Sequence, residues 1–133
     1  MNYGYLCNEI QHFSAMAKIT VQNTQITVLQ WAEQDYISLT DMASAKEGDS
    51  RSADIIKNWI RNRYTIEFLG TWEVIHNPNF KVVEFDHFRK SAGLPSFVLS
   101  ASEWIECTSA IGLVVKKGRY GGTYAHKDIA ITS

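Results

Sequence analysis

Cysteine is scarce in this chain of 133 residues: Cys7 and Cys107 stand far apart, and no CxxC pair exists. A disulfide scaffold and a cysteine-ligated zinc site are thereby excluded as what holds the fold, and a reducing, cytoplasmic setting is expected. No apolar run approaches the ~20 residues that a membrane span needs, so no membrane partner is expected. The first residues also lack the basic-then-apolar order of a signal peptide. His12, His76, His87 and His126 fall at no metal-ligand spacing, so neither a metal nor a cofactor is expected. The P-loop order GxxxxGK[ST] and the GxGxxG fingerprint are both missing. Glu84 and Asp86 should point to opposing sides of a helical turn and do not make a two-metal site. Cys107, between Trp104 and Ile111, reads as a buried small hydrophobe. Nothing local marks a Cys107–His126 nucleophile pair, so no catalytic residue is assigned and the chain is not expected to be an enzyme.

An excess of basic charge is also lacking, since the net charge is −1. That number hides an asymmetry. Residues 1–50 carry Lys18 and Lys46 against six acids, a net −4, whereas residues 51–133 carry eleven bases against eight acids, a net +3. Within the second part the bases gather at Lys57–Arg63 and Lys116–Lys127. Such a distribution points to one basic face on an otherwise neutral domain, with a solvated surface as the plain alternative.

What is present reads as one domain with enough chain for a core. Residues 1–15 show no periodicity and are expected to be an upstream extension or a poorly ordered tail, with the domain over 16–133. Ile19/Val21 and Ile26/Val28 alternate around the polar Gln22–Gln25, as in a hairpin, and Tyr36–Ser38 adds a short strand. Thr40 is positioned to cap a helix through Lys46. Ser52 should cap a second, with Ile55, Ile56, Trp59 and Ile60 on one face. A third starts near Thr65, buries Ile66, Phe68, Leu69 and Trp72, and ends at Asn77-Pro78. Val82, Phe85, Phe88 and Ala92 repeat at helical spacing, and Ser100–Glu103 has the form of a capping box before Trp104, Ile105 and Thr108. The aromatic residues Trp59, Trp72, Phe85, Phe88 and Trp104 lie at core spacing and need no cofactor to explain them. The fold class is α+β: an N-terminal hairpin, central helices and a C-terminal hairpin.

The most informative stretch is Gly118–Ala130, GRYGGTYAHKDIA. No acid interrupts the run from Lys116 to Lys127. Three glycines permit a tight turn between Val114-Val115 and Thr123-Tyr124, which places Lys116, Lys117, Arg119 and Tyr120 on or beside a hairpin tip. Such a tip pairs with phosphates, and its tyrosine can stack on a sugar or base. A solubilising turn is the plain alternative. Lys57, Arg61 and Arg63 form a second candidate: across a groove they hold the backbone while Asn58 or Asn62 reads adenine edges. Alternatively, Asn58 beside Trp59 braces the core. Ser50, Arg51 and Ser52 can add anion contacts at a helix start. His126, next to Lys127 and Asp128, is placed to cap the last helix or to shape the base of the hairpin.

These strings together resemble the KilA-N domain, a DNA-binding module of phages, large DNA viruses and bacteria related to the fungal APSES domain. Tyr36–Asp41 is similar to the opening segment of that family, Ile56–Arg63 to its helix with an Asn-Trp pair, and Thr65–Gly70 to the element after it. Ala92-Gly93-Leu94, Phe97, Leu99 and Trp104-Ile105 keep the family order, and Gly118–Ala130 is the most specific part. The resemblance covers roughly residues 19–130. It implies a winged-helix-like arrangement with a helix-turn-helix-like pair and a wing whose glycines are Gly118, Gly121 and Gly122. It also implies double-stranded DNA as partner, through Lys57, Asn58, Arg61, Arg63, Lys116, Lys117, Arg119, Tyr120 and Lys127, in a phage or prophage protein with a regulatory role. Family members continue the last helix and add a variable C-terminal region; here the helix is expected to be cut short, and a homodimer or a C-terminal partner domain would raise affinity. A module docking an acidic protein partner is the competing reading, and a nucleic-acid-directed enzyme ranks third.

Overall fold

The computed structural model describes residues 15–21 and 23–131. The tail expected over residues 1–15 and the middle of the first turn therefore lie largely outside the described residues. Five strands form one antiparallel sheet: β1 (Ala15–Val21), β2 (Thr24–Trp31), β3 (Gln34–Ser38), β4 (Leu113–Lys116) and β5 (Gly122–His126). Their order is β1-β2-β3-β5-β4, so the C-terminal hairpin joins the N-terminal meander through β3–β5 pairing. Among the described residues six helices complete the α+β fold: α1 (Leu39–Glu47), α2 (Ser52–Ile60), α3 (Arg63–His76), α4 (Val82–Ser91), α5 (Ala101–Thr108) and the single turn α6 (Lys127–Ala130).

Alternation along the strands sorts the sheet into two faces. Ile37, Leu113, Val115 and Ala125 face the helices and join the main core. Leu29, Tyr36, Val114 and Tyr124 form a smaller cluster on the other face, with Trp31 packed against it. Trp104, fully buried on α5, is the hub of the helical layer: the rings of Phe80, Phe85 and Phe88 all lie about 6 Å from it. The expected buried faces of α3 and α5 are present in Ile66, Leu69, Trp72, Trp104, Ile105 and Thr108.

Several boundaries differ from the sequence reading, each for a local reason. Ser38, not Thr40, caps α1, its hydroxyl accepting from the Asp41 amide at 3.0 Å. Thr40 Oγ1 instead accepts from the Thr123 amide of β5 at 3.0 Å. Ser52 lies inside α2, because a 3-10 turn over Asp49–Arg51 starts the helical path and the Ser52 hydroxyl donates to the Asp49 carbonyl. The helix expected from Thr65 begins at Arg63, capped by Asn62, whose side-chain oxygen accepts from the Tyr64 amide at 2.8 Å. Phe68 is 38 % exposed, since it sits on the outward side of α3. Cys107 is only half-buried, and burial with nearby Glu103 and Glu84 pushes its thiol pKa up, away from nucleophilic chemistry. Ser100 caps α5 as read from the sequence, accepting from the Glu103 amide at 3.0 Å.

Helices α3 and α4 meet where α3 offers Gly70. A Cβ there would stand 2.1 Å from the Phe85 ring, which in turn touches Trp104. Gly70→Ala is therefore expected to destabilise the fold by about 1–3 kcal/mol through overpacking, despite alanine's better helix propensity. Urea unfolding measures it; an unchanged or raised midpoint would show that Phe85 can move aside.

Candidate nucleic-acid interface

The C-terminal hairpin closes at the Lys116–Gly122 pair, leaving a loop of residues 117–121. The loop is internally bonded rather than open. The Gly121 amide donates to the Gly118 carbonyl at 2.9 Å, and Lys116 Nζ donates to the Arg119 carbonyl at 3.1 Å. Gly118 takes φ +80°, where a side chain would be strained. Gly121 and Gly122 are needed for closeness: a Cβ would lie 2.8 Å from the Gly118 carbonyl oxygen and 2.7 Å from Thr40 Oγ1 respectively. Tyr120 also takes a left-handed conformation, φ +60°, uncommon for a bulky residue. The Tyr124 hydroxyl holds it there by donating to the Tyr120 carbonyl at 2.6 Å. Burial, with Asp41 nearby, pushes the Tyr124 hydroxyl pKa up to about 12, so it remains a donor at neutral pH. The outcome is a fixed tip exposing Lys117, Arg119 and Tyr120, with Lys116 half-buried beside them.

The root of the hairpin is held by a buried carboxylate. Glu73 of α3 is fully buried and accepts from the Ile111 amide (3.0 Å), the Gly112 amide (2.6 Å) and Asn77 Nδ2 (2.9 Å). Burial pushes its carboxyl pKa up, against the pull of these three donors. All three are N–H groups, which match the ionised, acceptor-only form. The Tyr36 hydroxyl donates to the Ile111 carbonyl at 2.8 Å, and the His126 amide to the Gly112 carbonyl at 2.8 Å. The entry to β4 is thus satisfied from both sides.

His126 caps α6 as the sequence reading has it: Nδ1 accepts from the Asp128 amide at 3.1 Å. The ring proton is then on Nε2, which faces Gln34 Oε1 at 2.7 Å. Both nitrogens are engaged, leaving neither for Cys107. Among the described residues no cluster of three His, Cys, Asp or Glu side chains can hold a metal ion, and no helix is long and apolar enough to cross a membrane.

The second set of candidates is split: Lys57 and Asn58 lie on α2, Arg61 is its C-cap and Arg63 opens α3. Lys57 and Asn58 are exposed. Lys57 also lines a groove whose other walls are Ser52 and Ile56 of α2, Ser100 at the start of α5, and Val115 and Thr123 of the hairpin. This groove connects the α2 candidates to the hairpin. Arg61 instead donates to the Pro95 carbonyl at 3.0 Å, tying down the loop before α5. Arg63 sits 3.7 Å from Glu67 one helical turn on, and Glu67 also meets Arg89. Asn62 is occupied as a helix cap. Lys127 is exposed at the start of α6, at the far end of β5 from the tip, roughly 16 Å away at the usual strand rise.

Three contributors were missed. Glu73 carries a signal: it lies seven residues after Ile66 and four after Leu69, on the inward stripe of α3. Thr40 gives none, because its partner is 83 residues away. Lys18, in the acidic part of the chain, reaches the hairpin tip, with its Nζ 5.8 Å from the centre of the Tyr120 ring.

An antiparallel sheet whose C-terminal hairpin carries an acid-free cationic loop, backed by a layer of helices, defines a small α+β domain. The KilA-N domain family model matches residues 19–132, and the chain belongs to that family, a class of DNA-binding domains. No curated protein and no solved structure matches the chain significantly.

Two outcomes test the root of the hairpin. Glu73→Gln should destabilise the fold by about 1–3 kcal/mol, because the amide NH2 confronts N–H donors and leaves one unpaired. Hydrogen exchange at Gly112 and His126 should accelerate with it; unchanged exchange and stability would show that the carboxylate is dispensable. For His126, burial holds the ring pKa below its ordinary value of 6.5. The unfolded chain therefore takes up the proton first, and the stabilisation by neutral His126 is present above about pH 6.5 and lost as pH falls. The difference in Tm between wild type and His126→Asn should narrow from pH 7 to pH 5, asparagine being able to cap α6 without titrating. A constant difference would separate His126 ionisation from folding.

Proposed function

We propose that this chain is the DNA-contacting domain of a phage- or prophage-type protein, with the hairpin serving as a wing on duplex DNA and α2 supplying further contacts. The observation that carries the reading is the acid-free loop Lys117–Gly121, bonded within itself at Gly118 and Gly121 and to Lys116 and Tyr124 while its cations face solvent. Lys117 and Arg119 engage phosphates, Tyr120 adds a sugar, base or phosphate contact, Lys57 acts from the adjoining groove wall and Asn58 from the exposed surface of α2. Arg61 and Arg63 take a secondary part, as their polar groups already bond within the domain. Lys127 contributes only where DNA follows the hairpin to its far end. The absence of a net positive charge implies modest affinity from a single copy. A second copy or a further domain would raise it by avidity, and a regulatory role in the cytoplasm fits such a module. Docking of an acidic protein on the same face is the alternative.

Fluorescence anisotropy with duplex DNA, single-stranded DNA and RNA across a salt series separates these. Duplex binding is expected to weaken steeply with salt, by about 0.9 in log K per log salt for each phosphate engaged. Lys117→Glu with Arg119→Glu should reduce duplex affinity by about tenfold or more at low salt. The unfolding free energy should change by no more than about 0.5 kcal/mol, since neither side chain supports the core. Absence of duplex binding by the folded wild type would turn the assignment toward the acidic partner, and unchanged affinity in the folded double variant would remove the hairpin as the contacting element.

A further inference from the structure

We infer that Lys18 of β1 is a DNA-phosphate ligand, forming with Arg119 and Tyr120 a single phosphate-binding saddle across the sheet face that carries Leu29, Tyr36 and Tyr124. The inference rests on the proposed DNA-contacting role of the hairpin and extends it to a strand at the opposite edge of the sheet.

The placement comes from register. Lys18 pairs with Thr27, two residues from Leu29 on β2, so Lys18 projects on the same face as Leu29, Tyr36 and Tyr124. Between β1 and β5 lie β2 and β3, a separation of about 14 Å in a flat sheet. The distance is bridged because the loop folds back over this face. Tyr124 draws in the Tyr120 carbonyl, and the left-handed turn at Tyr120 carries its ring toward β1. The ring then has Lys18 Nζ 5.8 Å and Arg119 Cζ 5.4 Å from its centre. Two cations that share one aromatic ring repel each other, and a bound anion would relieve that repulsion. Neither has a carboxylate within ion-pair distance among the described residues, unlike Arg63 and Arg89. The nearby acid Asp41 accepts from the Thr27 amide. The Tyr120 hydroxyl makes no hydrogen bond among the described residues and would add a phenolic donor to the saddle. Two cations on long side chains and a hydroxyl around a ring suit a tetrahedral phosphate oxygen set better than a base edge.

The test uses the full chain and a fluorescein-labelled 20-base-pair duplex, with wild type, Lys18→Met and Lys18→Arg compared across a salt series. Methionine keeps the apolar stem against Tyr120 and removes the charge. Lys18→Met should weaken binding by roughly three- to tenfold at low salt and lower the salt slope by about 0.9, the share of one phosphate, while Lys18→Arg retains both. Wild-type slope and affinity in Lys18→Met would overturn the inference and leave the hairpin reading intact. Weaker binding at an unchanged slope, with faster hydrogen exchange in the loop, would also overturn it, making Lys18 a brace for Tyr120. A folded wild type that does not bind duplex would remove both readings together.

Discussion

The position of the basic hairpin depends on one buried carboxylate. Glu73 reaches from the middle of the helical layer to the two backbone amides that precede β4. Those amides lie where the chain leaves α5 and enters the sheet, ahead of the first β4 ladder pair. Leaving buried N–H groups unpaired costs about 1–3 kcal/mol each, so the carboxylate fixes where β4 begins. From that point β5 pairs with β4 and β3, His126 closes onto Gly112, and the tip lands over the sheet. Tyr36 contributes from the opposite side by donating to the Ile111 carbonyl. Helical layer and sheet are therefore joined by polar contacts at the hairpin's root as well as by the apolar core that Trp104 and its neighbours share with Leu113 and Ala125.

What was legible in the sequence was local. The second hairpin, its glycines and the cap at His126 follow from turn and capping chemistry within a dozen residues, and the structure contains all three. Apolar spacing gave the helices from α2 to α5 their existence and most of their buried faces. Boundaries were lost where two hydroxyl residues compete: Ser38 and Thr40 could both cap α1, and Thr40 is taken by a strand that arrives much later in the chain. Asn62 looked free to read a base because its sequence context does not show that a helix starts immediately after it. Lys18 was unreadable for a related reason. Counted by sequence segment it belongs to the acidic part, and only the strand order brings it to Tyr120.

The charge distribution acquires meaning through these contacts. Arg63 and Arg89 share Glu67, and Arg61 spends its guanidinium on a loop carbonyl. Lys18, Lys57, Lys117 and Arg119 are exposed to solvent on or near the hairpin and its groove. A net charge of −1 thus coexists with a face that is locally cationic, since the acids are placed elsewhere or consumed by structure. Surface charge of this kind adds little to folding stability, which leaves it free to serve recognition.

Tyr120 held in a left-handed turn by the Tyr124 hydroxyl has a kinetic meaning. A flexible cationic loop must be ordered after it meets its target, and that ordering slows productive encounter and weakens the resulting complex. Here the loop already has its shape. Under the DNA-contacting reading, arrival would be governed by diffusion and long-range attraction, largely indifferent to base sequence. Discrimination between sites would then be expressed in how long the domain stays, not in how often it lands.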